Sequence, residues 1–197
     1  MDLLLFNKPY RVLSQFTDHN EGSSSKDERR QTLADFIQQP AFYPAGRLDF
    51  HSEGLMILTD NGSLQHRITD PALKMEKSYW VQVERYPSEE TLKKLIQGVV
   101  LKDGPTKPAK ITRLDRPPAL WPRNPPLALH REKNSQWLNI TIKEGRNRQI
   151  RRMLASVEHP VLRLVRHRIG EWQLADLKPG QHTKIAINVP RNFSKKR

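Results

Sequence analysis

The apolar residues of this chain come in short runs, some continuous and some alternating, many bounded by turn-forming residues, and that pattern restricts it to a sheet-rich fold. The runs fall at 2–6 (DLLLF), 54–59 (GLMILT), 78–84 (SYWVQVE), 109–114 (AKITRL), 136–142 (QWLNITI), 161–166, 171–174 and 183–189. Each has strand length. Helical signals are fewer. Thr32 reads as the N-cap of a short helix carrying Leu33, Phe36 and Ile37. Residues 63–69 follow the turn Asp60-Asn61-Gly62. Ser88 caps 89–97, with Gly98 as the stop. In 147–157 (NRQIRRMLASV), Ile150, Met153, Leu154 and Val157 share one helical face. Residues 104–126 hold seven prolines. Proline fixes φ and lacks a donor, so this stretch is a rigid irregular excursion. Residues 18–31 are polar and aperiodic, a mobile loop, and 191–197 a basic tail. The class expected is α+β: a mostly antiparallel mixed sheet with flanking helices.

Charge narrows the function. Lys and Arg total 34 against 21 Asp and Glu, a formal charge of +13 and a pI near 10.2. Such an excess favours a polyanion, nucleic acid before an acidic membrane surface. The absence of Cys removes disulfides, thiolate catalysis, zinc fingers and iron–sulfur clusters, and fits a reducing cytoplasm. The start, MDLLLFNKPY, lacks a basic lead and its apolar run is too short for a signal peptide or a membrane span. The seven His show no metal-ligand spacing, and no P-loop, GxGxxG or HExxH occurs, so no metal is expected.

Three segments carry chemistry. GRLDFHSEGLMILTDNG (46–62) sets a carboxylate, Asp49, at the mouth of a strand. It either works on a held substrate or caps a turn and pairs with Arg47. His51-Ser52-Glu53 is no hydrolase relay, because neighbours in an extended segment face opposite ways. KSYWVQVE (77–84) holds Tyr79, either core packing or a ring that stacks on a base. KEGRNRQIRRMLASVEHPVLRLVRHRIG (143–170) carries Lys143, Arg146, Arg148, Arg151, Arg152, Arg163, Arg166 and Arg168 against Glu144 and Glu158. Arginine suits bidentate phosphate contact, so this segment is read as RNA-binding.

In this order, GRLDxxSEGL, KxYxV and EGRNRQIRRM resemble the RsuA-like family of pseudouridine synthases, and the likeness runs from NKPYRVLSQFT (7–17) to RLVRHRIG (163–170). DGPTKPA (103–109) with LWPRNPP (120–126) is similar to the subgroup that modifies one uridine of 23S ribosomal RNA. The resemblance implies a pseudouridine synthase core over 1–190, two lobes around one central basic cleft. It leaves no room for the small S4-type domain that many members carry ahead of the core. It implies Asp49 as the catalytic carboxylate, Tyr79 as the ring that stacks on the target base and as a group for proton removal, and Arg151 as the basic partner of Asp49. Arg47 matches an Arg that can fill the space of the flipped base. Arg146, Arg148, Arg152, Arg163, Arg166 and Arg168 are assigned to RNA. Most members place Gly where this chain has Arg11, which alters the first loop.

The implied reaction breaks the C1′–N1 bond of uridine, rotates the base and rejoins it through C5, with no redox change and no group lost, so no cofactor is expected. Asp49 either attacks covalently or removes the 2′-proton to give a glycal. Extrusion of the uridine costs a few kcal/mol, by the usual order of magnitude. The expected partner is large-subunit ribosomal RNA, and the expected state is a cytoplasmic monomer. The alternatives are a non-catalytic ribosome-assembly factor, whose signature would be loss of the Asp, and a DNA-binding protein, for which no reading helix is evident.

Overall fold

A computed structural model describes residues 1–18, 29–73 and 75–187. In chain order its elements are β1 (Asp2–Lys8), β2 (Tyr43–Pro44), β3 (Glu53–Thr59), α1 (Gly62–Thr69), β4 (Lys77–Glu84), α2 (Glu89–Gln97), β5 (Val100–Leu101), β6 (Gly104–Pro105) and β7 (Lys110–Leu114). They continue as α3 (Leu129–Lys133), β8 (Ser135–Ile142), α4 (Gln149–Ala155), β9 (Val161–Ile169), β10 (Trp172–Gln173) and β11 (His182–Ala186). The α+β class expected from the sequence is the one observed. Most of the mobile loop at 18–31 and the whole basic tail lie outside the described residues, as does the end of the strand expected at 183–189.

The chain forms two compact units, 1–73 with 174–197, and 74–173. In the first, β1 pairs antiparallel with β11 on one side and β3 on the other. Every residue of β3 is buried, its apolar run Leu55–Leu58 together with Glu53 and Thr59 at its ends. Thr32 caps a single 3₁₀ turn, Leu33–Asp35, through a reciprocal capping box with Asp35. Phe36 then packs on Phe6 of β1, ring centroids 5.7 Å apart. Asn61 caps α1 by accepting the Leu64 N–H at 2.9 Å.

In the second unit, β9, β4, β8 and β7 form an antiparallel ladder. Tyr79 lies opposite Ile140 of β8, and Gln82 opposite Trp137. Alternation sends Tyr79, Val81 and Val83 to one face and Trp80 and Gln82 to the other. The first face is the core, where Leu138, Ile140 and Ile142 are also buried. Each such side chain contributes about 1.5–3 kcal/mol by leaving water. On the second face Trp80 stacks on His167 at 4.5 Å and 10°. Ser88 caps α2, and Gly98 ends it at φ 103°, where an added Cβ would meet the Thr106 carbonyl oxygen at 2.5 Å.

Three details depart from the sequence reading. β9 runs to Ile169, three residues further than expected, because β10 folds back on it at Trp172↔Ile169. The proline-rich stretch leads into a helix, α3, that the sequence reading lacks. Asp49–Ser52 is a turn closed by the Ser52 N–H on the Asp49 carbonyl at 3.0 Å, and not an extended segment.

Candidate active site

The Asp49 loop is built by the first loop of the chain. Lys8 is fully buried, and its Nζ donates to the carbonyls of Pro9 and Val12, 2.8 Å each. That folds NKPY back on itself. Arg11 then adopts φ 59° and donates its N–H to the Phe50 carbonyl at 2.9 Å. A left-handed backbone explains why glycine suits this position in the resembling family. The buried Ser14 hydroxyl donates to the Leu48 carbonyl at 2.7 Å and accepts the Leu48 N–H at 3.0 Å. Gly46, at φ 98°, lets the chain turn into the loop. Asp49, half-buried, is thus flanked on both sides by residues tied to 11–14. Arg47 beside it is exposed.

His51, Ser52 and Glu53 do not form a relay, for a reason other than the one expected. The turn exposes His51 beside the Tyr10 and Phe50 rings, at 5.5 and 5.1 Å, while Ser52 and Glu53 are buried.

In the second unit, Tyr79 occupies a β-bulge: the β4–β9 register shifts between Ser78 and Tyr79, leaving Tyr79 opposite Arg166. Its side chain is 8 % exposed and Arg166 4 %. Burial, and then the Arg166 charge, lower the pKa of Lys77 at the start of the same strand. Arg151 is half-buried on α4, which is anchored by the buried Ile150, Met153 and Leu154. α4 begins after Arg148, which is exposed at φ 46°.

The other arginines divide into two groups. Arg152 donates to both Asp103 oxygens, at 2.6 and 3.1 Å. Arg146 joins the same carboxylate and also donates to the Gly104 and Pro105 carbonyls, at 2.9 and 2.8 Å. The Arg152 and Arg146 hydrogen bonds hold the Asp103 carboxyl far below the usual carboxylate range. Arg163, 6 % exposed, donates to the Trp121 carbonyl at 3.0 Å. These three guanidiniums therefore have structural partners within the chain. Arg47, Arg148 and Arg168 remain exposed, with Arg168 bonded to the Gly170 carbonyl at 2.6 Å.

Sequence reasoning missed Lys8, Ser14 and Asp103. NKPY signalled the first only as a motif, and a lone Ser or Asp more than thirty residues from its partner leaves no local trace. Among the described residues no group of three His, Asp or Glu could hold a metal, and no helix is long and apolar enough to cross a membrane.

The α+β scaffold and the match of residues 2–156 to the RNA pseudouridylate synthase family define the class: the chain is a member of that family. It is 54% identical over 179 residues to ribosomal large subunit pseudouridine synthase E of Xanthomonas campestris pv. campestris, covering 91% of this chain and 92% of that protein. The namesake protein of Vibrio parahaemolyticus is 50% identical over 94% of this chain and 74% of its own length. A crystal structure of a pseudouridylate synthase superposes with a TM-score of 0.75 at 29% identity, over 94% of this chain and 71% of that one.

Proposed function

We propose that this enzyme converts one uridine of large-subunit (23S) ribosomal RNA to pseudouridine. The observation that carries the reading is that the family match spans Asp49, Tyr79 and Arg151 alike, while the two relatives above are named for the ribosomal large subunit. Asp49 is the catalytic carboxylate. It acts either as nucleophile or as the base that removes the 2′-proton. The C1′–N1 bond breaks, the uracil rotates, and C5 bonds to C1′. The C5 proton leaves and N1 gains one, so the reaction is an isomerisation that needs no oxidant. Tyr79 stacks on the extruded base, a contact worth about 1–3 kcal/mol. Arg151 partners the carboxylate, and Arg47 takes up the space the base vacates. Exposed Arg148 and Arg168 meet phosphates. The rigid turn supports this reading, because a carboxylate used on a held sugar must not wander.

The test is to map pseudouridines in large-subunit ribosomal RNA from cells with and without the gene. One site is lost on deletion and restored by the wild-type gene but not by Asp49→Asn. An unchanged map overturns the assignment.

A further inference from the structure

The proline-rich excursion does more than connect strands. With the second face of the sheet it encloses a pocket of about 420 Å³, within the roughly 300–1,000 Å³ typical of ligand sites. The sheet supplies Gln82, Trp137 and Arg163; the excursion supplies Arg116, Trp121 and Arg123. Gln82 points away from the Tyr79 face, so this pocket opens on the other side of β4. Both indoles are half-buried, leaving ring surface toward the pocket. The Arg163 guanidinium sits 5.7 Å from the Trp121 ring centroid and also holds the Trp121 carbonyl, which fixes the ring. Arg123 is itself braced by its hydrogen bond to the Pro125 carbonyl at 2.8 Å. Asp115 and Glu132 lie at the wall and provide acceptors for a base edge. Prolines at 117, 118, 122, 125 and 126 stiffen the excursion before any ligand arrives.

Aromatic faces beside guanidiniums, in a chain of charge +13, fit one chemical class: an unstacked nucleotide. We propose that this pocket takes a single-stranded nucleotide of the substrate RNA, other than the uridine that is isomerised, and stacks its base on Trp121 while Arg116 and Arg123 meet its phosphate. The proposal rests on the RNA-modifying function above. It gives the enzyme a second grip on its substrate, one that recognises unpaired sequence beside the target.

Binding of a short single-stranded oligouridylate, followed by tryptophan fluorescence, tests the site directly. Trp121→Ala weakens binding by roughly 5- to 150-fold, the value of one base stack. Trp121→Phe keeps most of the affinity, because a ring remains. Arg116→Ala, at an exposed position that leaves folding intact, also weakens binding and lowers its salt dependence. With a large-subunit RNA fragment, Trp121→Ala loses kcat/KM through a higher KM. If Trp121→Ala and Arg116→Ala both bind within about twofold of wild type, the pocket is structural and the proposal falls. It falls equally if Trp121→Phe is as weak as Trp121→Ala. A wild-type enzyme that binds oligouridylate through Trp121 yet modifies no ribosomal RNA would leave this site standing and sink the functional reading instead.

Discussion

Ser14 holds Leu48 by both its backbone groups, donating to the carbonyl at 2.7 Å and accepting the N–H at 3.0 Å, one residue before Asp49. The hydroxyl acts as a surrogate strand: it satisfies a donor and an acceptor that no ladder reaches.

Ser14→Ala removes both bonds and leaves two buried backbone groups unsatisfied. Stability falls by about 1–3 kcal/mol, and kcat falls more than substrate affinity, because the Asp49 turn is loosened while the RNA contacts remain. Denaturant unfolding with steady-state kinetics checks both. A full loss of stability with unchanged kcat would show that Ser14 braces the fold but not the carboxylate.

Asp49→Asn keeps the shape of the turn and removes the charge. Turnover drops to below about one ten-thousandth of wild type, and RNA binding persists in a gel-shift or filter assay. Tyr79→Phe retains the ring and therefore binding. If its kcat also holds, Tyr79 serves only to stack; if kcat falls, its hydroxyl takes part in proton removal.

The arginines separate by their exposure. Arg148→Ala lowers RNA affinity and reduces the salt slope by about 0.7–0.9 for the lost phosphate contact. Arg146→Ala lowers Tm, because it breaks the bonds to Asp103, Gly104 and Pro105. The measurement is RNA affinity against salt beside thermal melting for each variant. A steeper salt slope lost on Arg146→Ala than on Arg148→Ala would reverse the assignment.

His167 sets a pH window. Burial, and then the Arg168 charge, push its pKa from 6.5 to about 4. The neutral ring stacks on Trp80 and its Nε2–H donates to Asn139 Oδ1 at 2.9 Å. The unfolded chain binds this proton more readily, so the contribution is complete above pH 6.5 and is lost as pH falls from 6.5 towards 4. Allowing for the ring's partial exposure, the loss is roughly 2 kcal/mol. His167→Gln flattens the melting temperature over that window; an unchanged slope would place the effect elsewhere.

Local grammar was readable wherever a residue's partner is near in sequence. Ser88 and Gly98 bound α2, Thr32 caps the turn at Leu33–Asp35, and the apolar run GLMILT marks β3. The site was readable as a motif, but its support was not. Asp103 meets Arg152 across 49 residues, and Ser14 meets Leu48 across 34. Such pairs are chosen by tertiary folding, and composition carries no sign of them. The count of basic residues likewise says nothing of which guanidiniums bond to carbonyls and to Asp103. The prolines announced rigidity but not that the excursion encloses a pocket.

β11 completes the ladder that β1 begins, Asp2 lying against Ala186, and Asn7 is held by the carbonyls of Leu177 and Gln181. During synthesis, then, the unit holding Asp49 waits with one strand flank bare until His182–Ala186 has been made, whereas residues 74–173 are complete earlier. The order of birth makes the carboxylate-bearing half the slower to mature, and the half most exposed to edge-to-edge misassembly in the interval.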